Sequence, residues 1–258
     1  MEFLTNCLNI VLRYYPSFIL GIKTTLLIAF TGTIIGLILG LLVGGIKAIK
    51  LDKTAGTFSI IIKKVYDIIA TIYIEVFRGT PMMVQAVFLY YALRPIFHWT
   101  YVVAAIFVIS VNTGAYMAEI VRSGIQSIDI GQTEAARSLG MSNFQTMINI
   151  ILPQAIKNAF PAIGNEFIVN IKDSSVLMII SITELMFEAK SIAGSTYKFT
   201  ETYFVTACIY LFLTSITSFI LHLIENKMNH SRTTIPQSST NADALKIAKE
   251  KNYEPPVD

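Results

Sequence analysis

The sequence predicts an all-α membrane protein that crosses the bilayer five times. Three observations lead there. Of 258 residues, 53% are hydrophobic and only 14% charged, against about 25% charged in ordinary soluble domains. The apolar residues gather into runs near the roughly 20 residues that a spanning helix needs. Lys and Arg are shared unequally among the segments between those runs. The net charge of +3 is small, and nothing in it calls for a nucleic-acid partner. Cys7 and Cys208 stand far apart and read as free packing residues. The opening Met1-Glu2-Phe3 has neither a positive region nor a cleavage site and does not read as a removed signal peptide.

The first span is expected at about residues 20–47, around the apolar run from Thr24 to Ile46. It carries Gly32, Gly36, Gly40 and Gly44, one at every fourth position and therefore along one stripe. Such a stripe lets helix backbones approach closely in lipid. It reads as a packing seam, either inside the protein or between two copies. The second span, about 65–94, is interrupted at Phe77-Arg78-Gly79-Thr80-Pro81. The part after Pro81 is too short to cross alone, so the expectation is one kinked helix, with Glu75 and Arg78 paired at i, i+3. The third span, about 101–123, comes after Trp99 and begins with Tyr101, both at an interface level. It holds Asn112 and Glu119, which are costly in lipid unless they face protein or water.

The fourth span, about 158–183, is the most polar. On a helix turning about 100° per residue, its Glu166, Asn170 and Asp173 share one face, with Ser174 next to them. Lys172 lies roughly a quarter-turn or more from Asp173, and with it these residues read either as part of a solute pathway bearing both charge signs, suited to a zwitterion, or as ion pairs that hold the bundle together. A polar connection from Glu184 to Thr202 leads to the fifth span, about 203–226. Residues 1–228 then form the membrane domain. Residues 229–258 form a polar tail, read as disordered with a short helix near 242–251.

Orientation comes from Lys and Arg. With the N-terminus outside, the inner segments hold Lys47, Lys50, Lys53, Lys63, Lys64, Arg122, Arg137, Lys157, Lys227, Arg232, Lys246, Lys249 and Lys251. The outer ones hold only Arg13, Arg94, Lys190 and Lys198. This is a positive-inside bias. It places the loop of residues 126–157 and the C-terminus in the cytoplasm.

That loop is a polar island. Asp129 caps a short helix, with Gln132 three residues on and Glu134 in the early turns that favour a negative charge. Ala135, Ala136 and Leu139 are expected on one face. Gly140 ends the helix in the left-handed conformation that glycine adopts without a Cβ penalty. Ser142-x-x-Gln145 reads as a capping box for a second helix with Phe144, Met147, Ile148 and Ile151 on its apolar face. Pro153 is expected to disrupt it.

Glu134-Ala135-Ala136, Gly140, Ile150, Leu152 and Pro153 meet in full the spacing of the "EAA" loop of permease subunits of ATP-binding-cassette (ABC) importers. The sequence resembles that family up to about residue 228. Arg78-Gly79-Thr80-Pro81 with Gln85, Tyr116-x-x-Glu119-x-x-Arg122, Gly131-Gln132 and Lys172-Asp173-Ser174-Ser175 are similar to its polar amino-acid subgroup of histidine, glutamine, arginine and cystine permeases. Ser138-Leu139-Gly140 departs from the more usual Ala-Leu-Gly. The resemblance implies the type I importer permease fold in a bacterial inner membrane. It implies two ABC ATPase subunits, a second permease copy or a related permease, and an extracytoplasmic substrate-binding protein.

The loop residues Gln132, Glu134, Ala135, Ala136, Leu139, Gly140, Leu152 and Pro153 would then couple to the ATPase. The candidates for a solute pathway are Arg78, Gln85, Asn112, Glu119, Glu166, Asn170, Asp173 and Ser174. No catalytic or metal constellation emerges from His98, His222 and His230. Gly21-Ile22-Lys23-Thr24 lacks the glycine spacing and ending of a phosphate loop, so ATP is expected on the partner and no cofactor on this chain. The competing functions are a permease for metals, phosphate or sugars, and a membrane scaffold that recruits an ATPase without moving solute.

Overall fold

The computed structural model describes residues 2–49, 51 and 56–230, and among these every regular element is helical. In order they are α1 (Glu2–Ala48), α2 (Thr57–Gly79), α3 (Met82–Phe97), α4 (Tyr101–Gln126), α5 (Ile130–Ser138) and α6 (Asn143–Thr146). Next come a π-helical turn (Met147–Ile151), α7 (Leu152–Asp173), a 3-10 stretch (Ser174–Ile180), α8 (Leu185–Thr196) and α9 (Phe199–His230). By length and composition α1, α4 and residues 199–228 of α9 are each sufficient to cross a bilayer. The expected tail helix, and Lys50, Lys53, Arg232, Lys246, Lys249 and Lys251, lie outside the described residues.

The first helix differs from the sequence expectation. It begins at Glu2, and its 47 residues are about twice what one crossing takes. Tyr14 (φ −113°, ψ 17°) leaves helical geometry just before Pro16, whose ring removes an N–H and crowds the preceding turn. The segment before this bend forms its own small core. Cys7 and Ile10 of α1 are buried there with Leu185, Ile192 and Val205 from α8 and α9.

The centre of the molecule is the contact of α1 with α4. Gly32, Gly36, Gly40 and Gly44 of α1 lie directly against Ile109, Thr113, Met117 and Ala118 of α4. A Cβ on Gly36 would stand 2.8 Å from Thr113 Cβ, and one on Gly40 would stand 2.7 Å from the carbonyl carbon of Met117. The stripe is thus a seam inside one chain. Beside it, the Asn170 side chain of α7 donates to Thr33 Oγ1 (2.8 Å) and accepts from Thr113 Oγ1 (3.0 Å). One buried amide thereby ties three helices together. Above the seam, Ile28, Ala105, Ile109, Ala86, Tyr90, Leu177 and Ile180 join α1, α3, α4 and the 3-10 stretch in a common core.

The chain divides into two units, Met1–Leu221 and His222–Asp258. In the second, His222 Nδ1 lies 3.9 Å from Glu225 Oε2 one turn on.

The seam yields a direct test. Gly40→Ala puts a methyl group into backbone atoms of α4 and should cost about 1–3 kcal/mol through overpacking. Gly45→Ala meets nothing within 4 Å and should leave stability at or slightly above wild type. Thermal unfolding of the purified protein in detergent compares the two, and equal midpoints would remove the seam from the account.

Candidate functional site

Two features stand out, and both belong to α4 and α7. The first is a cavity of about 460 Å³ lined by Arg78 of α2, by Tyr116, Glu119 and Ser123 of α4, by Ser127 just after α4, and by Asn158 and Glu166 of α7. The second is the loop that joins the ends of those same two helices.

The cavity takes its charges from three helices. Arg122 holds Glu119 in a two-pronged pair, Nη2 to Oε2 at 2.8 Å and Nε to Oε1 at 3.1 Å. Such fork geometry fixes the carboxylate's orientation. Arg78 Nη1 approaches the same Oε2 at 3.7 Å, and its guanidinium carbon sits 5.4 Å from the centroid of the Tyr116 ring. Arg78 therefore pairs across to α4 and not with Glu75 on its own helix. The structural reason is that α2 ends at Gly79, where Arg78 can turn toward the cavity while Glu75 remains exposed one turn earlier. Glu166 is half-buried on the α7 side, with no hydrogen bond or ion pair among the described residues. The cavity thus presents an accessible cation, a carboxylate already neutralised by Arg122, and a second carboxylate with no bound partner.

The remaining polar candidates lie elsewhere. Gln85 and Asn112 close the break between α2 and α3. The backbone leaves helical form at Thr80 (φ −124°, ψ 149°), and Pro81 has no N–H to offer. Carbonyls at the end of α2 therefore lack helical donors. Gln85 Nε2 donates to Phe77 O (2.9 Å), Thr80 O (2.9 Å) and Thr80 Oγ1 (2.7 Å). Its Oε1 accepts from Asn112 Nδ2 at 2.8 Å. Asn170 sits in the three-helix node beside the seam. The buried Ser174 hydroxyl donates to Ile171 O (2.9 Å) at the change from α7 to the 3-10 stretch. Asp173 is half-buried near that change. The polar face of the fourth span is thus divided among the cavity, the node and the helix end.

The loop is built by local rules. Asp129 caps α5 by accepting from the Gly131 N–H at 2.7 Å. Gly140 has φ +83°; its N–H bonds to Arg137 O at 3.0 Å, and the Met141 N–H bonds to Ala136 O at 3.2 Å. These two bonds form a Schellman motif. Arg137 Nη1 donates to Asn143 Oδ1 (2.7 Å) across the corner, and Ser142 and Gln145 form a complete capping box. The helix does not end at Pro153. It widens into the π turn, where the Leu152 N–H reaches Met147 O, and then continues as α7. The wider turn gives room where the proline ring would meet the carbonyl four residues back. Gln154 Nε2 donates to Ile150 O at 2.8 Å beside it.

The alanine face also differs from the expectation. Ala136 is buried, whereas Glu134, Ala135 and Leu139 point outward with Gln132. Leu139 is 84% exposed, Ile130 71% and Phe144 63%, so the loop carries large apolar side chains with nothing over them. Sequence reasoning did not identify Ser127 and Asn158, whose side chains bond at 2.9 Å at the foot of the loop. Only their proximity in the fold makes either notable. Glu184, by sequence part of a polar connection, is a second such residue. In the structure Glu184 is fully buried; it caps α8 through the Met186 and Phe187 N–H groups (2.8 and 2.7 Å) and accepts from Tyr210 Oη at 3.1 Å. The signal was a Glu just before the apolar helix start of Leu185-Met186-Phe187.

Known proteins share this architecture. A family model described as the binding-protein-dependent transport system inner membrane component matches residues 53–230. The glutamine transport system permease protein of Escherichia coli (strain K12) is 36% identical over 216 residues, which are 83% of this chain and 93% of that protein. A crystal structure of an amino acid ABC transporter with histidines superposes with a TM-score of 0.72 at 38% identity, over 84% of this chain and 96% of that one. An inward-facing form of a methionine ABC transporter gives the same TM-score at 20% identity, over 84% of this chain and 98% of that one, a likeness of fold alone.

The Gln85–Asn112 clasp should be measurable as a coupled pair. Gln85→Leu strips donors from the carbonyls at the break and leaves the Asn112 amide short of an acceptor, at a cost of about 1–3 kcal/mol. Asn112→Ala should cost less, and the double variant should fall short of the sum of the two. Denaturation midpoints for the four proteins check this, and strict additivity would refute the clasp.

Proposed function

The chain belongs to the binding-protein-dependent transport system inner membrane components, and on that premise we propose that it is the permease subunit of an ATP-driven importer of polar amino acids. One observation carries the mechanism: the exposed loop grows out of the two helices that wall the charged cavity. Displacement of α5 and α6 by a partner acts on the end of α4 at Ser127 and on the start of α7 at Asn158. Both residues line the cavity. A push at the loop is therefore a change in cavity shape, which is what alternating access requires.

The partner at the loop is an ABC ATPase that holds and hydrolyses ATP, two per transporter. This chain binds no cofactor of its own. Ile130, Leu139 and Phe144 supply apolar contact, and Gln132 and Glu134 supply the polar rim. A second permease copy or a related permease completes the pathway, and an extracytoplasmic binding protein delivers solute. In the cavity Arg78 meets a carboxylate, and Glu166 meets an ammonium group. This polarity suits a free amino acid, in keeping with the substrates in the relatives' names.

The chain crosses five times in this reading, with α2 and α3 together as the second crossing and α7 with the 3-10 stretch as the fourth. The N-terminus is outside and the C-terminus is cytoplasmic, as the Lys and Arg distribution supports. Ser195→Cys and Ser142→Cys in a Cys208→Ser background test this. An impermeant maleimide added to intact cells should label the first and miss the second; the reverse pattern would overturn the orientation.

Coupling is tested at Gly140. A valine there is forced into a positive φ, at a cost of order 1–3 kcal/mol, comparable to a typical coupling free energy. Gly140→Val should cut ATP-dependent amino-acid uptake in proteoliposomes by about fivefold to a hundredfold, as about 1.4 kcal/mol per decade implies, while the helices still insert. Glu134→Ala should be milder, since the backbone shape survives. Normal uptake and normal substrate-stimulated ATP hydrolysis in Gly140→Val would remove the loop from the mechanism.

A further inference from the structure

Gln154 joins the two arms of the exposed loop at the start of α7. Its Nε2 donates to Ile150 O at 2.8 Å and lies 3.5 Å from Gln132 Oε1 on α5, 22 residues away in sequence. The first distance is that of a firm N–H···O bond, and the second is beyond the usual range. The half-buried side chain is thus anchored on its own helix and only loosely held by α5. The bond to Ile150 O serves the helix alone. The contact with Gln132 crosses from one arm of the loop to the other.

Each end of this link stands at a place that matters for coupling. Gln132 is exposed in the first turn of α5, two residues before Glu134. Ile150 lies in the π turn. Pro153 brings no N–H into that stretch, so the Gln154 amide adds a donor where the helix lacks one. One residue past Gln154, the Ala155 carbonyl presses on α4: a Cβ on Gly124 would stand 2.7 Å from Ala155 O and 3.1 Å from Ala159 Cβ. Gly124 and Ala159 both line the charged cavity. Helices in such close contact have no slack to absorb a shift. A continuous chain of contacts therefore runs from Gln132 at the loop's surface, through Gln154, to the cavity wall.

We propose that Gln154 is a positioning residue for coupling. It holds α5 in register with the start of α7, and its loose contact with Gln132 is the one that changes when the ATPase moves the loop. The role rests on the reading that an ATPase docks at this loop. It is independent of which solute the chain carries.

The test uses the complete transporter, with its ATPase subunits, in proteoliposomes and reads amino acid accumulated per ATP hydrolysed. Gln154→Leu keeps the bulk of the side chain and removes both donations. It should lower that ratio by about threefold or more while the complex still assembles. Gln132→Glu combined with Gln154→Lys replaces the contact by an ion pair and keeps a donor for Ile150 O, and should restore most of the ratio. A purely structural role would lower uptake and hydrolysis together. An unchanged ratio in Gln154→Leu, or a combined variant no better than Gln154→Leu alone, overturns the proposal. The contact itself is read in the purified permease chain. Thermal midpoint shifts of Gln132→Ala, Gln154→Leu and the double variant should be non-additive, and strict additivity also overturns the proposal. This second measurement needs no transport. A wild-type transporter that accumulates no amino acid would count against the proposed function and leave the midpoint data standing.

Discussion

The close approach of α1 and α4 is the constraint on which the other contacts depend. It exists because four glycines on α1 present backbone where other residues would present side chains. Thr113 makes the consequence plain. Its methyl and Cβ fit against Gly36, and in that position its hydroxyl reaches Asn170 of α7. Thr33, three residues before Gly36 on α1, accepts from the other end of the same amide. An apolar seam thus places a polar node, and the node sets the position of α7. In a bilayer no hydrophobic gain draws helices together, so packing and hydrogen bonds must do so. Here they act at neighbouring residues.

With α4 and α7 placed, the charged cavity and the exposed loop adjoin at one end of the same pair of helices. Glu119 and Arg122 pair at the cavity's edge on α4, Glu166 faces it from α7, and Arg78 enters from the end of α2. Arg78 is available there because α2 stops at Gly79. That stop is tolerable only because Gln85 and Asn112 satisfy the carbonyls it exposes. A broken helix inside a membrane needs such a clasp, since lipid supplies no hydrogen bonds. The break, the clasp and the placement of Arg78 form a single arrangement.

The loop is rigid for local reasons and exposed for distant ones. Its corner is held by the Gly140 Schellman motif, the Arg137–Asn143 bond and the capping box, all within a few residues of sequence. Its apolar side chains at Ile130, Leu139 and Phe144 are left uncovered by the rest of the fold. A stiff element with an apolar surface is suited to transmit a partner's motion. The π turn before Pro153 serves the same end, because it keeps the loop and α7 on one continuous helical path.

The local features were legible in the sequence. The Asp129 cap, the positive φ of Gly140, the Ser142 capping box and the break at Gly79-Thr80-Pro81 each depend on a few neighbouring residues, and each is present in the structure. The glycine stripe was legible as a stripe, because spacing alone puts four such residues on one side of a helix. Its partner was not, since nothing in α1 names Thr113 or Met117. The polar residues divided in the same way. Spacing put Glu166, Asn170 and Asp173 on one face, but a face does not say what lies opposite each turn. Tertiary packing set Glu166 against a cavity and Asn170 against two threonines. Arg78 found Glu119 across a helix gap, where local spacing had offered Glu75, because an ion pair depends on distance in space. Glu184 was hidden for the same reason: its burial is decided by Tyr210, 26 residues away, which the fold alone brings near. Backbone conformation is set by near neighbours in sequence, and the partner of a side chain is set by which helices touch.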